Sequence, residues 1–312
     1  MKISTQTQPM VMRFGAKQAY RMIREAGFDA IDWGLDLSWR SNEVLRAKEY
    51  KNLCVFEKDE EEILAYYAEE LPAIRENGLL ITQAHAPNPP FKHGGYEMLE
   101  YAIAMYRKII AFCQTVGCPR LVIHAVSVSA LTRITDEECD RLNHHLYESL
   151  IPDLLQTNVT VCIENLWEPF ENRNNSDIYK GIFSDPLQAN ALIDDLNAKA
   201  GKKCFGICLD TGHLHLTRLR FSEYIPVIGK RLQALHIHDN NQSFDSHLMP
   251  YMGSARWEDF TASLRKAGYS GDLNFETCGQ MGAYRLPDEL VPLFLRATAR
   301  IGEYFKTQIQ SK

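Results

Sequence analysis

Short runs of β-branched and aliphatic residues alternate along this chain with longer stretches of helical period. The runs predict strands at Lys2–Thr5, Ala30–Leu35, Leu79–Ala84, Arg120–Ala125, Val159–Asn165, Phe205–Asp210, Leu232–His238 and Asp272–Thr277. Between them the apolar spacing predicts helices over Glu60–Glu76, Tyr96–Thr115, Asp136–Leu155, Pro186–Ala200 and Trp257–Ala267, with Pro287–Phe305 closing the chain. The punctuation agrees: Ala26-Gly27, Glu76-Asn77-Gly78 and Lys266-Ala267-Gly268 read as helix ends, and Ser184-Asp185-Pro186 reads as a start.

Strands that are apolar throughout and separated by helices belong to a parallel sheet covered on its outer face. Eight such units is the number that closes a barrel, for which about 250 residues is typical. The surplus falls mainly at Asp36–Asp59 and Glu168–Phe183, both directly after strands and so both on the face where such barrels build their sites. A doubly wound open sheet would want a Gly-rich first turn, and the first strand is followed instead by Gln6-Thr7-Gln8-Pro9. The expectation is an α/β fold, a single (β/α)8 TIM barrel spanning residues 1–312. No Pro/Gly/Ser-rich linker divides the chain.

Composition adds little to this and excludes a few classes. Hydrophobic content of 45% and charged content of 24% are ordinary for a globular protein. A net charge of −6 argues against a nucleic-acid partner, which usually meets a basic stripe. The start, Met1-Lys2-Ile3-Ser4-Thr5-Gln6, lacks the basic-then-apolar pattern of a secretory leader, and no apolar run approaches the roughly 20 residues of a membrane span, so a cytoplasmic location is expected. The eight cysteines form no CxxC pair and sit mostly inside apolar patterns, as at Cys113, Cys162, Cys208 and Cys278, which reads as reduced core.

The chemistry lies in the polar residues that end the strands. In order these are His85, His124, Glu164-Asn165, Asp210-Thr211-Gly212-His213, His236-Ile237-His238-Asp239 and Glu276, with Asp245-Ser246-His247 just after the seventh strand. One such residue is ordinarily a loop-pinning hydrogen bond. Six consecutive strands ending this way would crowd their groups at one mouth, where unneutralised carboxylates repel and rise in pKa. A divalent cation resolves that conflict, and His with Asp and Glu is a donor set that transition metals and Mn²⁺ accept.

Ile163-Glu164-Asn165, Leu209-Asp210-Thr211-Gly212-His213, His236-x-x-Asp239 and Asp245-x-His247 before Pro250, in this order, resemble the xylose isomerase-like barrels across Ile31–Glu276. That family comprises sugar and sugar-phosphate isomerases and epimerases together with the endonuclease IV type of apurinic-site nuclease. The resemblance implies a metal site of Glu164, Asp210, His236 and Glu276, with Glu164 and Glu276 also catalytic. It also implies a divalent cofactor (Mn²⁺, Mg²⁺, Co²⁺, Fe²⁺ or Zn²⁺) and a homo-oligomer as a common state. His85, His124, His213, Asp245 and His247 match the additional ligands of the three-zinc nuclease branch, and serve as additional metal or substrate candidates.

His236 is chosen over His238 because the x-x-Asp spacing follows it; His238 is then an outer or packing residue. His215 is a candidate to orient His213, while His93, His144 and His145 read as surface or local hydrogen-bonding residues. Trp33 and Trp167 are candidate walls for a substrate, against the alternative of core packing. Arg40, Arg218 and Arg285 are candidate phosphate contacts, against ordinary surface solvation.

Two functions follow. In an isomerase or epimerase the metal would chelate two neighbouring oxygens of a sugar or sugar phosphate and acidify the adjacent C–H, with Glu164 and Glu276 moving the proton through an enediolate. In the alternative, a multi-zinc site would cut a phosphodiester at an abasic DNA site. No Lys/Arg cluster follows the strand ends to neutralise DNA, and Met252-Gly253-Ser254-Ala255 departs from the nuclease-like Gly-Glu-Gly. A barrel that senses sugar without turnover is the third reading, which the intact Glu164/Glu276 pair disfavours.

Overall fold

The computed structural model describes residues 1–35, 51, 53–87, 96–126, 135–169, 178–277 and 286–311. Eight strands form one parallel sheet: β1 (Ile3–Gln6), β2 (Ala30–Gly34), β3 (Leu80–His85), β4 (Arg120–Ile123), β5 (Thr160–Glu164), β6 (Phe205–Asp210), β7 (Leu232–His236) and β8 (Leu273–Phe275). Each pairs with the next, and β8 returns to β1 with Ile3 opposite Leu273. The last seam, between β7 and β8, is a single parallel bridge at Ile237 and Phe275. There the Ile237 N–H donates to Asn274 O at 2.8 Å and the Glu276 N–H donates to Ile237 O at 3.1 Å. The architecture is the expected (β/α)8 barrel.

Strand pleating sends alternate side chains to opposite faces. The outward set, including Ile31, Trp33, Leu121, Ile123, Val161, Ile163, Leu209, Leu235 and Phe275, merges with the helices into one apolar core. The inward set is stratified. At the lower level Val122, Cys162, Cys208 and Ala234 form a separate small apolar cluster. Beside it the amides of Gln83 and Asn274 each donate to Asp32 Oδ2 at 2.8 Å, and Ser4 Oγ donates to Asn274 Oδ1 at 3.0 Å. The next inward positions along the strands, among them Gln6, His85, Glu164, Asp210 and Glu276, stand at the mouth.

The helices Pro186–Ala200 and Trp257–Ala267 have the expected bounds, stopped by Gly201 and Gly268 in left-handed conformation. Two expected helices are each broken in two. Asp136–Leu155 is Asp136–Glu148 followed by Ile151–Leu155, because Pro152 has no N–H to continue the first helix. Glu60–Glu76 is Glu60–Tyr66 followed by Glu70–Glu76, parting where Tyr67 turns inward to meet the Trp33 ring at 4.9 Å between centroids. A short helix, Gln8–Phe14, follows β1 with Pro9 in its first turn, where the lost N–H costs nothing. The insertion after β5 contains an antiparallel hairpin, Trp167–Pro169 with Ile178–Lys180. Among the described residues no helix is long and apolar enough to cross a membrane. The seven described cysteines are buried and unpaired by disulfides; Cys278 lies outside the described residues.

The C-terminal helix Val291–Gln310 covers the β8–β1 seam, and Gly302 faces residues of both strands. A Cβ there would stand 2.6 Å from Ile3 Cγ2 and 2.9 Å from Phe275 Cε2. Both neighbours are fully buried and have little room to yield. Gly302→Ala is therefore expected to destabilise the protein by about 1–3 kcal/mol despite its better helix propensity. Urea denaturation measures this, and an unchanged or raised midpoint would show that the seam is loosely packed.

Candidate metal centre

The strand ends enclose a cavity of about 200 Å³ bordered by Gln6, His85, Glu164, His213, Asp245 and Glu276, with His124 and His247 also on its wall. Thus nine of the polar groups picked out from the sequence reach one place or lie directly beneath it, Asp210 and His236 being fully buried under the cavity floor.

The orientation of the imidazoles identifies what the cavity can hold. His236 Nε2 lies 3.1 Å from Asp32 Oδ2, a carboxylate oxygen that can only accept, so Nε2 carries a hydrogen. In the neutral ring Nδ1 then presents a lone pair. Nδ1 lies 3.0 Å from Glu164 Oε2 and 3.3 Å from Glu276 Oε2, yet it is buried and makes no hydrogen bond. A lone pair facing two carboxylates is repulsive unless a proton or a cation stands between them.

Three further histidines repeat this arrangement through their backbones. The Nδ1 atoms of His85, His213 and His247 lie 2.7, 2.9 and 2.9 Å from the carbonyl oxygens of Ala86, Asn165 and Glu276. Each Nδ1 must therefore donate, and each Nε2 turns its lone pair into the mouth. His213 Nε2 and His247 Nε2 both approach Asp245 Oδ2 at 3.2 Å. His85 Nε2 approaches His124 Nε2 at 3.1 Å, and His124 Nε2 lies 3.1 Å from Glu164 Oε2. Fixed lone pairs and carboxylates converging on shared points are the donor pattern of a divalent cation, and the residues present fit one. Ligand atoms of His85, Glu164 and His236, of Asp210, His236 and Glu276, of Asp210, His213 and His238, and of His238, Asp245 and His247 lie within 4.8 Å of one another in each group.

The pKa values respond to the same crowding. Burial alone would raise the Glu164 carboxyl, but the His236 and His124 imidazoles outweigh it and hold it well below the usual range. Asp210 is likewise lowered, burial being overcome by His213 and His238. Burial would lower His213, and the carboxylates of Asp210, Asp245 and Glu164 push it well above its ordinary value. His247 is pushed up to about 10, as Asp245 and Glu276 overcome its burial. In the bare site, protons occupy positions where positive charge is favoured.

Local sequence explains the placement. Asp210 caps the helix Thr211–Leu216, Oδ1 accepting the His213 N–H at 2.7 Å, so the cap itself brings His213 to the mouth. Asn165 ties β5 to β6 by accepting from the Asp210 N–H at 2.8 Å and donating to Asp210 O at 3.1 Å. His238 Nε2 lies 2.9 Å from Asp210 Oδ2, and its ring packs directly over Gly212, where a Cβ would stand 1.9 Å from His238 Cε1. The His238 Nδ1 is buried, unpartnered and 3.8 Å from Asp245 Oδ1, so His238 meets two candidate donor carboxylates, Asp210 and Asp245.

Trp33 does not wall the site. It follows the inward Asp32 by one residue and so points outward, fully buried against Tyr67 and Phe112, with Nε1–H donating to Glu70 at 2.8 Å. Trp167 is half-buried at the start of the hairpin after β5. His215 turns away from the mouth to Ser254 Oγ, 2.9 Å from its Nε2. His144 and His145 meet Glu148 and Glu100 on the helical surface, and Arg218 is exposed. Arg40, Arg285 and His93 lie outside the described residues. Sequence reasoning missed Asp32, the hydrogen-bond partner of His236, and Gln6, whose Nε2 donates to Glu276 Oε1 at 2.9 Å. A carboxylate in the middle of Ala30-Ile31-Asp32-Trp33 was the available signal.

Asp32→Asn is expected to weaken divalent-metal binding about 10–100-fold, as loss of a carboxylate that orients a ligating imidazole does elsewhere. Metal titration by calorimetry checks this, and an unchanged affinity would remove Asp32 from the role.

A family model described as the xylose isomerase-like TIM barrel matches residues 20–290. A protein of Sinorhizobium fredii, the uncharacterized protein y4fM, is 25% identical over 276 residues, covering 84% of this chain and 81% of its own. Among solved structures, D-psicose 3-epimerase with D-tagatose from Clostridium cellulolyticum H10 superposes with a TM-score of 0.68 at 13% identity, covering 98% of this chain and 99% of that one. D-allulose 3-epimerase from Methylomonas sp. gives a TM-score of 0.66 at 15% identity, with 99% and 98% covered. On the extent of the family match, this chain belongs to the xylose isomerase-like TIM barrel family.

Proposed function

We propose that this protein is a divalent-metal-dependent sugar isomerase or epimerase that moves a proton at the carbon beside a carbonyl. The observation that carries the reading is the convergence of Glu164, Asp210 and Glu276 on the unpartnered Nδ1 of His236, beside a cavity of about 200 Å³. The likeness to 3-epimerases of D-psicose and D-allulose supports a ketose as the substrate class.

A cation held by Glu164, Asp210, His236 and Glu276 would supply Lewis-acid polarisation of the substrate carbonyl. The two glutamates are not equivalent. Glu164 is buried, with Oε2 near His124 and His236 and Oε1 3.1 Å from His213 Nδ1, and its lowered pKa makes it a weak base. Glu276 is the more exposed, its side chain 12% accessible, and its Oε1 is held by the neutral Gln6 amide. Glu276 is thus the better placed to take the proton at the start of turnover, with Gln6 keeping that oxygen aimed. Glu164 serves on the other face, where neighbouring imidazoles can return a proton to it.

A second reading is favoured by one specific observation. His85, His124, His213, Asp245 and His247 join the four core donors at the same cavity, as a site for two or three zinc ions would require. In that reading the activity is phosphodiester cleavage at abasic DNA. Elemental analysis of the purified protein separates the two: one Mn²⁺, Co²⁺ or similar ion per chain supports the sugar enzyme, and two or three zinc ions support the hydrolase.

Glu276→Gln should lower turnover about 10²–10⁴-fold, the usual contribution of general acid–base catalysis, with the fold retained. Turnover is read as deuterium incorporation into ketohexoses in D₂O, and near-normal exchange would sink the proton-transfer role. Removal of the metal by a chelator should abolish exchange and re-addition restore it. Exchange that survives verified metal loss would overturn the metal-dependent reading altogether.

A further inference from the structure

Asp239 is fully buried and belongs to no ligand group, yet it gathers more donors than any carboxylate of the mouth. Its Oδ1 accepts the N–H groups of Asn240 at 2.8 Å and Ala255 at 3.1 Å. Its Oδ2 accepts the N–H groups of Tyr251 and Gly253, both at 3.1 Å, and the indole Nε1–H of Trp257 at 3.0 Å. All five donors are neutral, so this charge is stabilised by dipoles alone. Its backbone forms an antiparallel bridge with Leu248, the N–H bonds measuring 2.7 and 2.9 Å.

These seven bonds tie down residues 240–257, the segment that carries Asp245 and His247 to the mouth. The segment needs holding. Gln242, His247 and Tyr251 have φ of 60°, 45° and 73°, a left-handed conformation unfavourable for residues with side chains. At Gly253 a Cβ would lie 2.4 Å from Asp239 Oδ1 and 2.5 Å from Asn240 O, so only glycine lets the backbone close on the carboxylate.

We propose that Asp239 is a positioning residue that sets this loop in its ligand-ready shape, so that the His213–Asp245–His247 side of the mouth is formed before any ion arrives. The carboxylate replaces the ion as the organiser of a strained loop: it sits at the root of the segment, reaches both of its arms, and pins the Tyr251 backbone within that strain. The consequence for affinity rests on the metal reading above; the consequence for loop order does not.

Amide hydrogen exchange on chelator-treated full-length protein, with Zn²⁺ titration in parallel, tests this. In the metal-free native protein the amides of Tyr251, Gly253 and Ala255 should stay protected. In Asp239→Asn they should exchange about tenfold faster or more, while those of β5 and β6 are unchanged. Trp257→Phe, which removes one donor only, should give a smaller acceleration and serves if the Asn variant does not fold. In Asp239→Asn the Zn²⁺ affinity should fall about tenfold at a temperature where the variant stays folded. Loss of protection in the native protein on chelation alone, or full protection in both variants, would overturn the assignment. A native protein that binds no Zn²⁺ would reject the metal reading, and the exchange data would still decide the role of Asp239.

Discussion

The contact between Asp32 Oδ2 and His236 Nε2, 3.1 Å long and wholly buried, governs what the upper half of the barrel can do. It fixes the tautomer and the tilt of His236, and so decides that Nδ1 faces Glu164 and Glu276. It also explains why the lumen is polar at mid-height. Asp32 would have His236 as its one partner among these three if Gln83 and Asn274 did not donate to the same oxygen. Ser4 in turn accepts the task of orienting Asn274. A ladder of neutral groups therefore supports one carboxylate, which supports one imidazole.

Above that ladder the barrel accumulates donors faster than it can satisfy them. Carbonyl oxygens pin His85, His213 and His247, leaving lone pairs directed at Glu164 and Asp245. The fold enforces this: every strand of a parallel barrel delivers its last inward residue to the same end. Proximity is automatic, and only the identity of those residues distinguishes a packed plug from a reactive centre. Here the lower inward layer is Val122, Cys162, Cys208 and Ala234, and the upper one is ionisable.

Much of this was legible from the chain. All eight strands lie where the apolar runs placed them, because a barrel strand buried on its outer face cannot disguise its pattern. The ionisable residues gathered at the mouth were legible for the opposite reason, as polar groups closing apolar runs. What escaped depended on parity and on partners. Trp33 and Asp32 are adjacent, and nothing in Ala30-Ile31-Asp32-Trp33 says which faces inward until β2 is registered against β1 and β3. No helix was read at Gln8–Phe14, whose seven residues are too few to show a period, although Pro9 suits a first helical turn. The insertion over Asp36–Asp59 gave no period to read, and Arg40 within it lies outside the described residues.

The seam between β7 and β8 is built differently from the other seven. Its two hydrogen bonds, through Ile237, fall beyond the end of one strand and across the tip of the other, and β8 is only three residues long. The shell of the barrel is therefore anisotropic, stiff around most of its circumference and compliant along one line. Glu276 and His236 stand on opposite banks of that line. A slight parting of the banks would change the reach between these two donors while leaving Glu164 and Asp210, on continuously paired strands, in place. The mouth thus has a continuously hydrogen-bonded side and a sparsely bonded one, and Glu276 stands on the latter.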